Sequence, residues 1–274
     1  MYNNIEVVIC EQAMTHHFRK RYFVLDLLRG SVVLLMILAH SVYFFHNSTN
    51  SLLLGMEKIG NTVCFTVFLL VSGAVSYIAY IKHEEYIIGS RKKLLKRLLV
   101  ILGSYYLLAF FVSSGQILAS QALDKWKLII DILTFRALPS YTEFIPPFIF
   151  YSFLVFIFPK FLKQLSNSLP ISIIISIYLY FTGFFLYGIK APEFFEPWKA
   201  FLAGSEGYFR FPILQYAPIF ILGMSWGHWL RTTEKLHHKK EISRFLAIVS
   251  VIEILIAVIA ANINFKPFDI LFLR

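Results

Sequence analysis

The chain has 274 residues, of which 58% are hydrophobic, 18% aromatic and only 15% charged. This composition excludes an ordinary soluble domain, and discrete apolar runs of bilayer-spanning length identify a polytopic membrane protein. The net charge of +10 does not mark a nucleic-acid binder, because the basic residues lie in short loops between apolar runs rather than on one polyanion-binding face.

Residues 1–22 read as a cytosolic amino-terminal tail. Glu6, Glu11, His16, His17, Arg19, Lys20 and Arg21 fall within it, and it has neither the apolar segment nor the cleavage site of a signal peptide. Residues 23–274 are expected to form one membrane domain. It is an all-α bundle of about seven spans, near 23–45, 61–81, 98–119, 144–162, 170–189, 211–230 and 245–262. Cys10 belongs to the tail and Cys64 to the second span, which gives no disulfide or metal pattern. Asn47-Ser48-Thr49 fits a glycosylation sequon and is read as chance, so close to the membrane.

Alternate loops are basic. Arg19, Lys20 and Arg21 precede the first span, and Arg91, Lys92, Lys93, Lys96 and Arg97 precede the third. Lys160 and Lys163 follow the fourth, and Arg231, Lys235, Lys239, Lys240 and Arg244 separate the last two. The remaining loops mix bases with Glu57, Asp124, Asp131, Glu143, Glu193, Glu196 and Glu206. The basic excess puts the amino terminus in the cytosol and the carboxyl end outside. The expected location is a bacterial cell (inner) membrane.

The first span carries Asp26, Arg29 and His40. Charge at membrane depth is costly, so such groups usually face a bundle interior or a wet cavity and mark functional sites. Arg29 and His40 are 11 positions apart. At about 100° per residue they share one helix face and stand roughly 16 Å apart along the axis. They cannot touch, so a site that uses both is elongated along the membrane normal. Asp26 lies one turn from Arg29, placed to compensate its charge, and too far from His40 to orient that ring. The plainer readings are a snorkelling arginine and a histidine bonded to a neighbouring helix.

On the second span Phe65, Phe68 and Ser72 share a face, and Gly73 permits close helix approach. Ser72 is the weaker candidate, since small residues in membrane helices are mostly packing devices. The long loop 120–143, with Asp124, Trp126, Asp131, Tyr141 and Glu143, is suited either to a carbohydrate or to the membrane interface. The segment 193–210, with Trp198 and Tyr208, has the same two readings. Pro146-Pro147 is expected to bend or delay the fourth helix. His237 and His238 sit in a basic loop and are read as solvated.

The first span also carries a resemblance. Leu25-Asp26-Leu27-Leu28 leading into Arg29, and then His40 eleven positions on, resembles the first membrane helix of the acyltransferase-3 family. Related motifs occur in the heparan-glucosaminide N-acetyltransferase branch of transmembrane acyltransferases. Phe65-Thr66-Val67-Phe68 leading to Ser72-Gly73 is similar to the family's second helix. Arg91-Lys92-Lys93-Leu94-Leu95-Lys96-Arg97 is similar to the basic approach to its third, and Phe220-Ile221-Leu222-Gly223 resembles a later segment. The likeness covers most of the chain. It implies transfer of an acyl group, most simply acetyl, from acyl-coenzyme A to a hydroxyl of an extracytoplasmic glycan or glycolipid: an O-acetylation of polysaccharide. Family members usually have more spans, so the chain is expected to be a fragment or a shortened member.

An elongated site suits acyl-coenzyme A, whose phosphates need cations at the cytosolic mouth. Arg29, Lys93, Lys96 and Arg97 stand there, and Arg97, next to Leu98, is carried into the interfacial layer. His40 is the expected catalytic residue, deprotonating the acceptor or taking the acyl group transiently. Asp26 and Ser72 are supporting residues. Acetyl-coenzyme A or another acyl-coenzyme A enters as co-substrate, with no permanently bound cofactor and no metal. The expected partners are that donor, a carbohydrate or glycolipid acceptor and the lipid bilayer. The rival reading is a permease or exporter of a polar solute or glycan intermediate. A permease should show paired interrupted helices in corresponding halves, and the Gly and Pro punctuation here shows no clear pairing.

Overall fold

A computed structural model of the chain describes residues 22–45, 51–81, 87–139, 141–205 and 211–235. The regular elements among these residues are all helical. The first predicted span is one helix, α1 (Phe23–Phe45), and the second is the later part of α2 (Ser51–Ser76), continued by a π turn at Tyr77–Ile81. α3 (Ile87–Ala119) starts well before the predicted third span and takes in the whole basic segment. The long loop after it contains a helix of its own, α4 (Ala122–Leu133). There follow α5 (Ile145–Ile157), α6 (Pro159–Asn167), α7 (Leu169–Tyr187), α8 (Glu196–Ala203) and α9 (Ile213–Lys235).

The expected count of seven spans is not confirmed among the described residues. Among the described residues four helical segments are long and apolar enough to cross a bilayer: Phe23–Val42, Val63–Ile81, Arg91–Ala119 and Leu169–Tyr187. α5 and α6 would together make a fifth, although they meet at 97°. The predicted seventh span, together with His237, His238, Asn47, Cys10 and Tyr208, lies outside the described residues. The predicted fourth span breaks at Phe158, whose φ of −115° and ψ of 46° leave the helical region just before Pro159. Proline at that point removes an amide donor and crowds the preceding turn, so the helix cannot run through. Pro146 and Pro147 neither bend nor delay the helix, which starts at Ile145. They occupy the first turn of α5 and are buried there, where a missing N–H is no loss.

α9, the predicted sixth span, is the central element. It packs against α2, the π turn, α6, α7 and α8. Tyr216, Phe220, Ile221 and Met224 share one core with Phe65, Leu69, Tyr77, Tyr151 and Val155. Protein neighbours on several sides allow α9 to carry polar groups that lipid would not accept. Ser225 bonds Ser172 of α7 at 2.8 Å, and Tyr151 of α5 donates to the carbonyl of Ile213 at 2.7 Å.

Close approach of α2 and α9 depends on glycine. A Cβ at Gly73 would run into the carbonyl of Phe220, one at Gly223 into the backbone of Leu70, and one at Gly227 into that of Ala74. The expected role of Gly73 therefore acquires a partner helix. α1 is tied to α2 by Gly60 against Ala39 and by Cys64, whose Sγ lies 3.6 Å from the carbonyl oxygen of Val32.

These antiparallel contacts give the bundle two ends. Leu25 of α1, Tyr77 and Ile81 of the π turn, Leu94 of α3, Leu162 of α6 and Leu230 of α9 are all buried towards one end. Arg29, Arg97 and Arg231 belong to the same helix segments, so we call it the basic end. His40, α4 and α8 lie towards the other.

Candidate active site

At the far end, α1 holds His40 half-buried, with Nδ1 2.8 Å from the carbonyl oxygen of Met36. A carbonyl can only accept, so Nδ1 carries the proton, and in the neutral ring the lone pair is on Nε2. The helix backbone one turn earlier thus orients this imidazole. The ring centroid of Tyr141 lies 6.4 Å away. Tyr141 has a φ of 67° and is 46% exposed, a conformation that side-chain-bearing residues adopt only when their surroundings enforce it. Fully buried Thr142 supplies that constraint. Its Oγ1 donates to the carbonyl of Pro139 at 2.6 Å, and its own carbonyl accepts from the Ile145 amide at 3.0 Å, which launches α5. Of the other loop residues, Asp124 and Trp126 are exposed on α4, and Asp131 pairs with Arg136 at 3.5 Å.

The segment containing α8 is a packed cover at this end. Arg136 sits over the rings of Phe194 at 4.5 Å and Trp198 at 5.8 Å, and Trp198 donates to the carbonyl of Thr134 at 3.0 Å. Glu196 accepts from the hydroxyl of Ser205 and, at 3.1 Å, from the amide of Ala191. It also pairs with Lys199 at 3.5 Å. These donors, Ser205 foremost, hold its carboxyl below the usual carboxylate range despite a smaller opposing effect of burial.

At the basic end two arginines come within electrostatic reach of each other. Arg97 is half-buried, with its guanidinium 5.9 Å from the ring centroid of Tyr80 in the π turn. Arg29, also half-buried, is within electrostatic reach of Arg97, of Asp26 and of Tyr80. Arg97 thus departs from Lys93 and Lys96, which are exposed on the same helix. Asp26 is exposed and acts on Arg29 through space. Among the described residues neither arginine closes an ion pair with a carboxylate. Two like charges in a partly desolvated place, offset in part by Asp26, make a positive potential that an anion would relieve. Ser72 is buried on α2 among packing residues.

The structure also shows a polar group that sequence reasoning missed. The Tyr77 hydroxyl lies 3.0 Å from Oδ1 of Asn167 and 2.6 Å from Nδ1 of His228, with the Tyr77 and His228 rings edge-on at 5.3 Å. His228 is an imidazole inside a predicted span, the same signal that singled out His40, and was legible on that ground. Its partners were not, because Asn167 stands 90 positions from Tyr77 and His228 stands 151.

Apolar helices of spanning length, ionisable groups inside them and a cation pair at one end define an all-helical integral membrane protein with a buried polar site. A sequence model described as heparan-alpha-glucosaminide N-acetyltransferase, catalytic, matches residues 21–256. The chain belongs to that family, and so to a family of membrane acetyltransferases. No curated protein and no solved structure matches it.

Proposed function

We propose that the protein transfers an acetyl group from acetyl-coenzyme A, or another acyl-coenzyme A, to an extracytoplasmic glycan or glycolipid. The observation that carries this reading is the approach of Arg97 of α3 to Tyr80 and to Arg29 of α1, with His40 about 16 Å further along α1. Coenzyme A needs both features: cations for its phosphates, and a reactive group a pantetheine arm's reach away. The basic end faces the cytosol in this reading, as the positive-inside bias favours, with the amino terminus on the same side.

The chemistry then follows from the residues. Exposed Lys93 and Lys96 draw the anionic donor in, and Arg29 and Arg97 hold its phosphates. The thioester lies at His40. Nε2 takes the proton of the acceptor group as that group attacks the thioester carbonyl. The carbon–sulfur bond breaks, the electron pair stays on sulfur, and the thiolate is then protonated. In a covalent variant Nε2 itself attacks the thioester carbonyl and the carbon–sulfur bond breaks with its pair on sulfur. The acceptor then attacks the acyl carbon, the carbon–nitrogen bond breaks with its pair on Nε2, and the acceptor proton passes to the thiolate. Both variants need the proton on Nδ1 and the ring lone pair on Nε2, the tautomer that the Met36 carbonyl favours. The exposed ring of Tyr141 beside His40 suits the face of a sugar ring.

The first helix's likeness to acyltransferase-3 favours a hydroxyl acceptor. The family description, which names an N-acetyltransferase, favours an amine as the second reading. The test is reconstitution with labelled acetyl-coenzyme A and a glycan bearing both groups. Label should appear on the glycan, and mild alkali should release it from an ester but not from an amide. Transport of the glycan without any label transfer would support the permease instead.

A further inference from the structure

A second polar cluster at the basic end lies outside the machinery just described. It forms where the π turn, the end of α6 and the last turns of α9 meet, with Tyr77 buried at its centre. The Tyr77 hydroxyl has one proton. Donated to Oδ1 of Asn167, that proton leaves the phenolic oxygen to accept from Nδ1–H of His228. Nε2 of His228 then points away from Tyr77, on the far side of the ring. Arg231 follows His228 by three positions, rotated by only about 60° on the same helix. It is half-buried and within electrostatic reach of Tyr77.

Basic residues gather here: Lys163, one turn before Asn167, is half-buried, and no carboxylate belongs to α6 or to the π turn, while on α9 Glu234 follows Arg231 by three positions. Asn167 also adjoins the start of the 19-residue helix α7, whose N-cap Ser168 makes no side-chain cap. Pro170 in the first turn carries no N–H, so the Leu169 and Ile171 amides are the ones that open towards the same end. π turns in α-helices are frequent at functional sites.

We propose that Tyr77, Asn167, His228 and Arg231 form a phosphate-binding site. It shares no residue with the Arg29–Arg97 pair and deepens the acyl-coenzyme A reading on which it rests. The guanidinium supplies a fork for phosphate oxygens, His228 adds a donor when protonated, and Tyr77 with Asn167 fixes the imidazole. The phosphate belongs either to the nucleotide end of the coenzyme or to the headgroup of an anionic phospholipid at the same membrane face.

The experiment uses the full chain in nanodiscs. In phosphatidylcholine discs it is titrated with coenzyme A and with 3′-dephospho-coenzyme A. In discs containing phosphatidylglycerol, retained lipid is counted by native mass spectrometry. Arg231→Gln and His228→Gln should each weaken coenzyme A binding by roughly tenfold, the size of one lost charge-assisted contact, and should erase any preference over the dephospho form. If the phosphate is a lipid's, they should instead leave coenzyme binding intact and lower the count of retained phosphatidylglycerol. Arg231→Lys, which keeps the charge, should restore part of whichever binding is lost. No change in either arm, or no recovery with lysine, overturns the site. Coenzyme A binding that is unaltered by Arg29→Ala overturns the acetyl-transfer reading alone, and the lipid arm still decides this one.

Discussion

His40 and Arg29 share a helix but sit in different kinds of surroundings, and the difference sets what each substitution should do. His40 has its tautomer fixed by the Met36 carbonyl and an aromatic ring alongside. His40→Gln keeps hydrogen-bonding capacity but cannot take a proton near neutral pH. At matched membrane abundance it should lower acyl transfer by about 100-fold or more, the usual worth of a general base. Full activity in that variant would sink the mechanism. Arg29 and Arg97 act on the same anion, so Arg29→Ala and Arg97→Ala should each weaken acyl-coenzyme A binding by roughly tenfold. The double variant should lose less than the product of the two, because residues sharing one partner are not additive. The sequence could nominate these arginines from their places at span entrances. It could not show that Arg97 turns inward over Tyr80 while Lys93 and Lys96 stay exposed, because that depends on where α3 meets the π turn.

The helices differ in how much of them a linear pattern reveals. α1 was legible to the residue, since a long apolar run bounded by polar segments has only one economical structure in a bilayer. The break between α5 and α6 was hidden, because Phe158-Pro159 lies inside an apolar stretch and hydropathy does not register backbone geometry. The glycines of the α2–α9 crossing allow a sharp test. Gly73→Ala places a methyl group against the Phe220 carbonyl, whereas a methyl group at Gly30 would meet nothing within 4 Å. Gly73→Ala should therefore destabilise the bundle by about 1–3 kcal/mol, the usual cost of overpacking, and Gly30→Ala should leave the melting midpoint within about a degree. Equal behaviour of the two would contradict the crossing.

Across the whole molecule, orientation and the covering segment can be examined separately. With the basic end in the cytosol, a membrane-impermeant thiol reagent added outside should label a cysteine placed at Lys127 on α4 and should spare one at Lys163 on α6. The reverse pattern would invert the topology. The α8 cover should also respond to acid. Because the Glu196 carboxyl is held below its ordinary range, chiefly by Ser205, the folded state binds this proton more weakly than the unfolded chain. Its stabilising contribution is complete above the ordinary carboxylate range and disappears as pH falls through the lowered value. Trp198 fluorescence should report loosening of the cover on acidification, and Glu196→Gln should make that signal independent of pH over the same window.

The sequence by itself determined the class of protein, the position of α1 and the unusual placement of Asp26, Arg29 and His40, because desolvation makes every charge in a spanning helix conspicuous. It also marked Gly73 as a contact point. Only the tertiary structure decided that α9 is the central helix, that Arg29 and Arg97 come within electrostatic reach, that Tyr141 reaches His40, and that Tyr77, Asn167 and His228 form one hydrogen-bonded group. Each of these joins residues far apart in the chain. What brings them together is the mutual packing of helices whose apolar surfaces look alike in sequence, with small residues and a π turn setting the register.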